Sequence, residues 1–216
     1  MKKWLFLSVW LFLVMTSRSY AVLFQEIGDA GKTLDTAILV AEGTTQINGY
    51  LEFPDAFNNL AGADLFTFWW GGGSFEAVTS GQGDFQLFLF DQYGRGLWSN
   101  DDISQLNLNA RISDPDLAPG IYYLGISSYD YDPYNIFDEE IFSDGPYDAQ
   151  LAPQATEDYL AYWDGAAWEG DIYYTISFSS PANVPEPATI VLLGLALGIL
   201  GFLSQKIKKY KEGENV

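Results

Sequence analysis

The sequence predicts an all-β protein folded as an antiparallel sandwich. Three observations carry that expectation. Short runs of alternating or continuous apolar residues recur through the central part of the chain. Turn residues punctuate them at strand-length intervals, and no sustained helical period appears between Val22 and Phe178. The aromatic fraction of 17% separates this acidic chain from a disordered acidic tail, because aromatics supply the burial that such tails lack.

The elements follow in order. Lys2 and Lys3, the apolar stretch Trp4 to Met15 and the small-x-small site Ser19-Tyr20-Ala21 form a secretory signal peptide over residues 1–21. A short helix fits Asp35 to Ala41. Ile47 to Phe53 alternates and stops at Pro54. Leu65 to Trp70 ends at Gly71-Gly72-Gly73, and alternation there puts one of Trp69 and Trp70 in the core and turns the other outward. Phe75 to Thr79 ends in a Ser-Gly-Gln-Gly turn. Phe85 to Phe90 is nearly continuous in apolar residues, as in a strand buried on both faces. Asp91 to Gly94 is a turn, and Ile121 to Ser127 follows Pro119-Gly120. Asn135 to Trp168 is the least regular part and reads as a long loop or a pair of poorly marked edge strands. Ile172, Tyr174, Ile176 and Phe178 share one face of a last strand.

These elements make one β-sandwich ectodomain over residues 22–178, with Ser179 to Asn183 as a linker and a tail over residues 184–211. In that tail Val184-Pro185-Glu186-Pro187 is stiff and extended. The uncharged run that follows, Ala188 to Leu203, would form a helix of roughly 24 Å at about 1.5 Å per residue. That is short for a hydrocarbon core of about 30 Å. Lys206, Lys208, Lys209 and Lys211 then hold the C-terminus on the cytoplasmic side. This three-part tail resembles the PEP-CTERM sorting signal, with lysine where arginine is usual in the basic end. The resemblance implies a transmembrane precursor recognised by an exosortase, with cleavage near Pro185-Glu186-Pro187.

A second resemblance covers roughly Gln25 to Tyr129. Gly28 to Ala37, Ile47-Asn48-Gly49-Tyr50-Leu51, Ala63 to Phe68, Phe85 to Asp91, Asn100-Asp101-Asp102 and Ala118 to Ile126 together resemble the bacterial pre-peptidase C-terminal domain. It implies a jelly-roll-like sandwich carried as a non-catalytic module, some members binding calcium or assisting contact with polymers. The long acidic stretch after Tyr129 departs from that pattern.

The charge sets the available chemistry. The chain carries 29 acidic and 10 basic residues, a net charge of −19. Lys32, Arg95 and Arg111 are the only bases between Val22 and Val184. Nucleic acid is thereby excluded as a partner, since phosphate binding needs a basic surface. Divalent cations are the natural counterions. Histidine and cysteine are both absent, which removes His-based triads, Cys nucleophiles, the common zinc sites and disulfides. A carboxylate pair could still hydrolyse a glycoside, but nothing in the spacing selects one, and the chain reads as a non-enzyme.

Candidate ligands for Ca2+ are Asp91, at the close of one strand, and Asn100, Asp101 and Asp102, in the next turn, which a hairpin could bring together. The same residue types also bond their own backbone in turns, so turn capping is the competing reading. Asp130-Tyr131-Asp132 begins like an EF-hand loop but lacks its later ligand and glycine. Trp163 and Trp168, flanking Asp164-Gly165, are candidates for stacking on sugar rings. The expected function is an exported cell-envelope or extracellular-matrix protein, with calcium and exopolysaccharide as partners. A carbohydrate-binding, lectin-like surface module is the alternative.

Overall fold

A computed structural model describes residues 22–52, 62–154, 159–166 and 172–179. The signal peptide, the chain from 180 onward and Trp168 lie outside the described residues. The strands are β1 (Val22–Gln25), β2 (Ile38–Leu39), β3 (Thr44–Leu51), β4 (Ala63–Trp70), β5 (Gly73–Gly81), β6 (Phe85–Phe90), β7 (Gly96–Asn100), β8 (Arg111–Leu117), β9 (Gly120–Ser128), β10 (Tyr131–Tyr134), β11 (Tyr162–Gly165) and β12 (Ile172–Phe178). They form two five-stranded sheets, ordered β1-β3-β12-β5-β8 and β2-β4-β9-β6-β7, and a separate β10-β11 ribbon. The β-sandwich read from the sequence is therefore present, and the described residues contain no helix. Pairing is antiparallel except at one edge of each sheet, where β1 runs parallel to β3 and β2 to β4.

The expected helix over Asp35 to Ala41 does not form. Thr36 and Ala37 N–H groups both donate to the Thr33 carbonyl, at 3.0 and 2.9 Å, closing one turn. The Thr33 hydroxyl donates to Asp35 Oδ1 at 2.6 Å, and such local side-chain bonds compete with helix extension. The chain then extends into β2.

The apolar residues of β6 show how the molecule is layered. Phe85, Leu87 and Leu89 face the core between the sheets, together with Phe66, Phe75, Leu124, Ile126, Tyr174 and Ile176. Phe88 and Phe90 face the other way, into a second core with Leu65, Tyr131, Ile141, Phe142, Leu160 and Trp163. The strand is thus buried on both faces, as its continuous apolar pattern requires. The cover is the acidic stretch after Tyr129. Instead of a loop or edge strands of the sandwich, it supplies β11, which pairs with β10 as a ribbon over the outer face of the β4-β9-β6 sheet. Trp69 is 52% exposed and Trp70 3%, the alternation expected of them.

Trp163 is the centre of this cover. Its ring meets Phe88 edge-on at 5.3 Å and stacks on Tyr131 at 6.4 Å, and its Nε1–H donates to the Lys32 carbonyl at 2.7 Å. Gly125 on β9 makes the approach feasible, since a Cβ there would lie 2.9 Å from the indole. Trp163→Ala is expected to lower the unfolding free energy by about 3–5 kcal/mol in a denaturant titration, the usual range for a buried Trp. A loss under about 1 kcal/mol, the size of a surface substitution, would show that the cover contributes little.

Candidate metal centre

The β6–β7 hairpin builds the site. Leu87 pairs with Asn100 and Leu89 with Trp98, so the residues just before β6 lie beside those just after β7. This brings Asp84 to Asp101 and Asp102. One carboxylate oxygen from each lies within 4.8 Å of the others. The backbone holds the three in place. Tyr129 N–H donates to the Asp84 carbonyl at 3.0 Å, and Asp102 N–H donates to the Tyr147 carbonyl at 2.9 Å.

Asp84 Oδ1, Asp101 Oδ1 and Asp102 Oδ1 are all buried and accept no hydrogen bond from the described residues. Burial, with Asp102, Asp84 and Asp132 adding repulsion, pushes the Asp101 carboxyl up to about 7. Burial also raises Asp84, with Asp102 adding to it, and raises Asp102, with Asp148 adding to it. Beside Asp101 is a cavity of about 20 Å³, lined among others by Gln86, Asn100, Asp132, Asp144 and Tyr147. That is room for one water-sized group or ion. Burial pushes Asp132 up to about 7 against the opposing hydrogen bond from Gln86 Nε2, which is 3.1 Å long. A set of unpaired, oxygen-only donors suits a hard divalent cation.

The four residues picked from the sequence do not act together. Asp91 caps the turn at the far end of the hairpin, where its Oδ1 accepts from Tyr93 N–H at 2.8 Å and Arg95 N–H at 3.0 Å. Four residues separate it from Leu87, about 13 Å along a strand at ~3.3 Å per residue. Asn100 is a clamp: its Nδ2 donates to the carbonyls of Asp102 at 3.0 Å and Ala149 at 3.1 Å, and its Oδ1 accepts from Arg111 N–H at 2.7 Å. Asp101 and Asp102 remain as candidate ligands. Asp84 was missed because it sits in a Gly-rich turn. Counting back from the hairpin turn, residue against residue, would have placed it opposite Asp101 and Asp102. Trp163, a candidate for sugar stacking, is 5% exposed and closed over by the second core, so it offers no face to a ligand. Trp168 and the sorting residues Val184, Pro185, Glu186 and Pro187 lie outside the described residues.

A second group of acids is buried deeper. Glu26 is 5% exposed, Asp64 2% and Tyr174 3%. The Tyr174 hydroxyl lies 2.6 Å from Asp64 Oδ2 and 3.4 Å from Glu26 Oε2. Tyr50 N–H donates to Glu26 Oε2 at 3.0 Å. Gly49 fills the gap beside them, where any Cβ would collide with Glu26 and Tyr174. Burial pushes Glu26 up to about 7, and burial with Glu26 beside it raises Asp64 well above the carboxylate range. Burial, joined at Asp64 by repulsion from Glu26, makes both carboxyls hold a proton more tightly than free ones.

Residues 183–207 match the PEP-CTERM protein-sorting motif. A search of curated proteins finds no relative of the chain. Among solved structures, the pre-peptidase C-terminal domain of a collagenase from Bacillus anthracis is similar over 74% of this chain and 97% of that one, at 12% identity and a TM-score of 0.36. A likeness that distant adds nothing to the strand pairing, on which the sandwich assignment rests. The sorting motif makes the protein an exported, exosortase-processed one, produced as a membrane-anchored precursor.

Every raised carboxyl binds its proton more tightly in the folded state than in the unfolded chain, where the value is about 4. Their stabilisation is complete below about pH 4 and is lost as pH rises through about 7, the value for Glu26, Asp101 and Asp132. In chelator, the melting temperature should therefore fall between pH 5 and pH 8. Asp64→Asn with Glu26→Gln should flatten that fall, and a wild-type profile already flat across this range would contradict the assignment.

Proposed function

We propose that the mature protein is a non-catalytic component of the cell envelope or exopolysaccharide matrix, and that Asp84, Asp101 and Asp102 hold a calcium ion. The observation that carries the calcium site is the convergence of three carboxylates, each of which also has a buried oxygen with no donor among the described residues. Uncompensated, each such oxygen is costly to bury, and one divalent ion relieves all three. With so few bases in the ectodomain, a cation from the medium is the natural source of that compensation. Calcium held at the surface of an acidic exported protein can also bridge it to anionic matrix polymers.

Extracellular calcium modules bind at about 10⁻⁴–10⁻³ M. At 10 mM calcium this corresponds to roughly 1.4–2.7 kcal/mol of added stability. Thermal unfolding should show a shift with calcium that sodium at equal ionic strength does not reproduce. Asp101→Asn should abolish the shift, whereas Asp91→Asn should keep it. A response equal in the two salts would reduce these aspartates to turn chemistry.

Sorting through the tail has its own test. Pro185→Ala with Pro187→Ala should leave an uncleaved, membrane-bound precursor by mass and fractionation. Unchanged mature mass and location would rule out processing at that motif.

A further inference from the structure

The solvent face of the β1-β3-β12-β5-β8 sheet is unlike the rest of this acidic molecule. Tyr173 on β12 and Tyr50 on β3 are cross-strand partners. Tyr173 is 74% exposed, and the two ring centroids lie 5.8 Å apart at 35°. The next row along the sheet is Gln25, Asn48, Thr175 and Ser80, and the one after it runs from Leu23 through Gln46 and Ser177 to Val78. Thr175 Oγ1 and Gln46 Nε2 both donate to Asn48 Oδ1 at 3.0 Å, which fixes the amides and hydroxyl as one network. The tyrosine row across β3 and β12, and the two rows that run on from β1 to β5, contain no charged residue. Glu52 bounds them beyond Tyr50, whose hydroxyl donates to Glu52 Oε1 at 2.8 Å, and Glu76 and Arg111 bound them at the other side.

We propose that this face binds a neutral polysaccharide, with Tyr50 and Tyr173 as its stacking platform. A pyranose ring has an apolar C–H face that packs on an aromatic ring and hydroxyls that pair with amides and alcohols. The face supplies both, in adjacent rows. Charge selects the polymer class. An anionic chain would meet the repulsion of a protein of net charge −19, and the three rows themselves offer a cationic one no carboxylate, Glu52 standing only at their edge. Neighbouring strands lie about 4.8 Å apart, so rings on β3 and β12 can meet neighbouring units of one extended chain. This site is separate from the proposed calcium centre and does not depend on it.

The test is native affinity electrophoresis of the full chain, solubilised in a polyoxyethylene detergent that carries no sugar. Gels contain hydroxyethylcellulose, dextran or galactomannan, with alginate as the anionic comparison, each run with calcium and with chelator. We expect retardation in at least one neutral gel, equal in calcium and chelator. Tyr173→Ala should weaken it at least tenfold with an unchanged melting temperature, because the side chain is exposed. Tyr173→Phe should preserve it, since stacking needs the ring and not the hydroxyl. The proposal is overturned by no retardation in all three neutral gels. It is equally overturned by Tyr173→Ala binding within twofold of wild type, or by calcium-dependent binding to alginate alone.

Discussion

Phe88 and Phe90 point away from the space between the two sheets, and the architecture follows from covering them. A sandwich needs only one apolar face per sheet. Here the β4-β9-β6 sheet has two, and the second must be closed by chain from elsewhere. The β10–β11 ribbon and the segment between its strands do this through Tyr131, Ile141, Phe142, Leu160 and Trp163. The cover also carries acids. It brings Asp132 and Asp144 to the cavity beside Asp101. The hydrophobic requirement of one strand thus sets the electrostatics of the candidate metal centre.

Charge balance is the second constraint, and the molecule meets it in two ways. At Glu26, Asp64 and Tyr174 the carboxyls are nearly dry, so holding a proton is less costly than holding charge. At Asp84, Asp101 and Asp102 the oxygens converge beside a cavity, at the end of a hairpin near solvent. The cation proposed for this cluster would balance its charge. The first arrangement fixes strands from both sheets to each other, because Asp64 belongs to β4 and Tyr174 to β12. The second joins the ends of β6 and β7 to the cover, through the backbone bond from Asp102 to Tyr147.

Much of this was legible in the residues. The nearly continuous apolar run of β6 announced burial on both faces, and strict alternation oriented β12 and the Trp69-Trp70 pair. Local pattern cannot report what covers a strand, however. The cover comes from described residues between 131 and 165, a stretch where Asp, Glu, Pro and Ala dilute any period, so its few anchors looked like a loop. Trp163 looked like an exposed ligand platform for the same reason: its neighbours are polar, and its burial is decided by Phe88 and Gly125, far away in sequence. The metal centre was half visible. Asp101 and Asp102 stood out as a cluster, whereas Asp84 depends on hairpin register, and Asp91 is drawn off by the turn it caps. The two parallel edge pairings depend on long-range closure and leave no local mark.

The topology also orders the functional features along the molecule. The last described residues leave from the end of β12, where Ser179 N–H donates to the Glu76 carbonyl at 2.8 Å and Ser179 Oγ accepts from Glu76 N–H at 2.8 Å. This double bond to β5 fixes the point from which the chain continues to the sorting motif. Tyr173 lies at the opposite end of the same strand, about 16 Å away at ~3.3 Å per residue. Tyr174 pairs with Gly81, and three residues later Asp84 directly precedes β6. The tyrosine platform and the acidic centre therefore share one end of the sandwich, and the route to the sorting tail leaves from the other. The exit toward the sorting motif is thus separated from the proposed tyrosine platform by the length of β12.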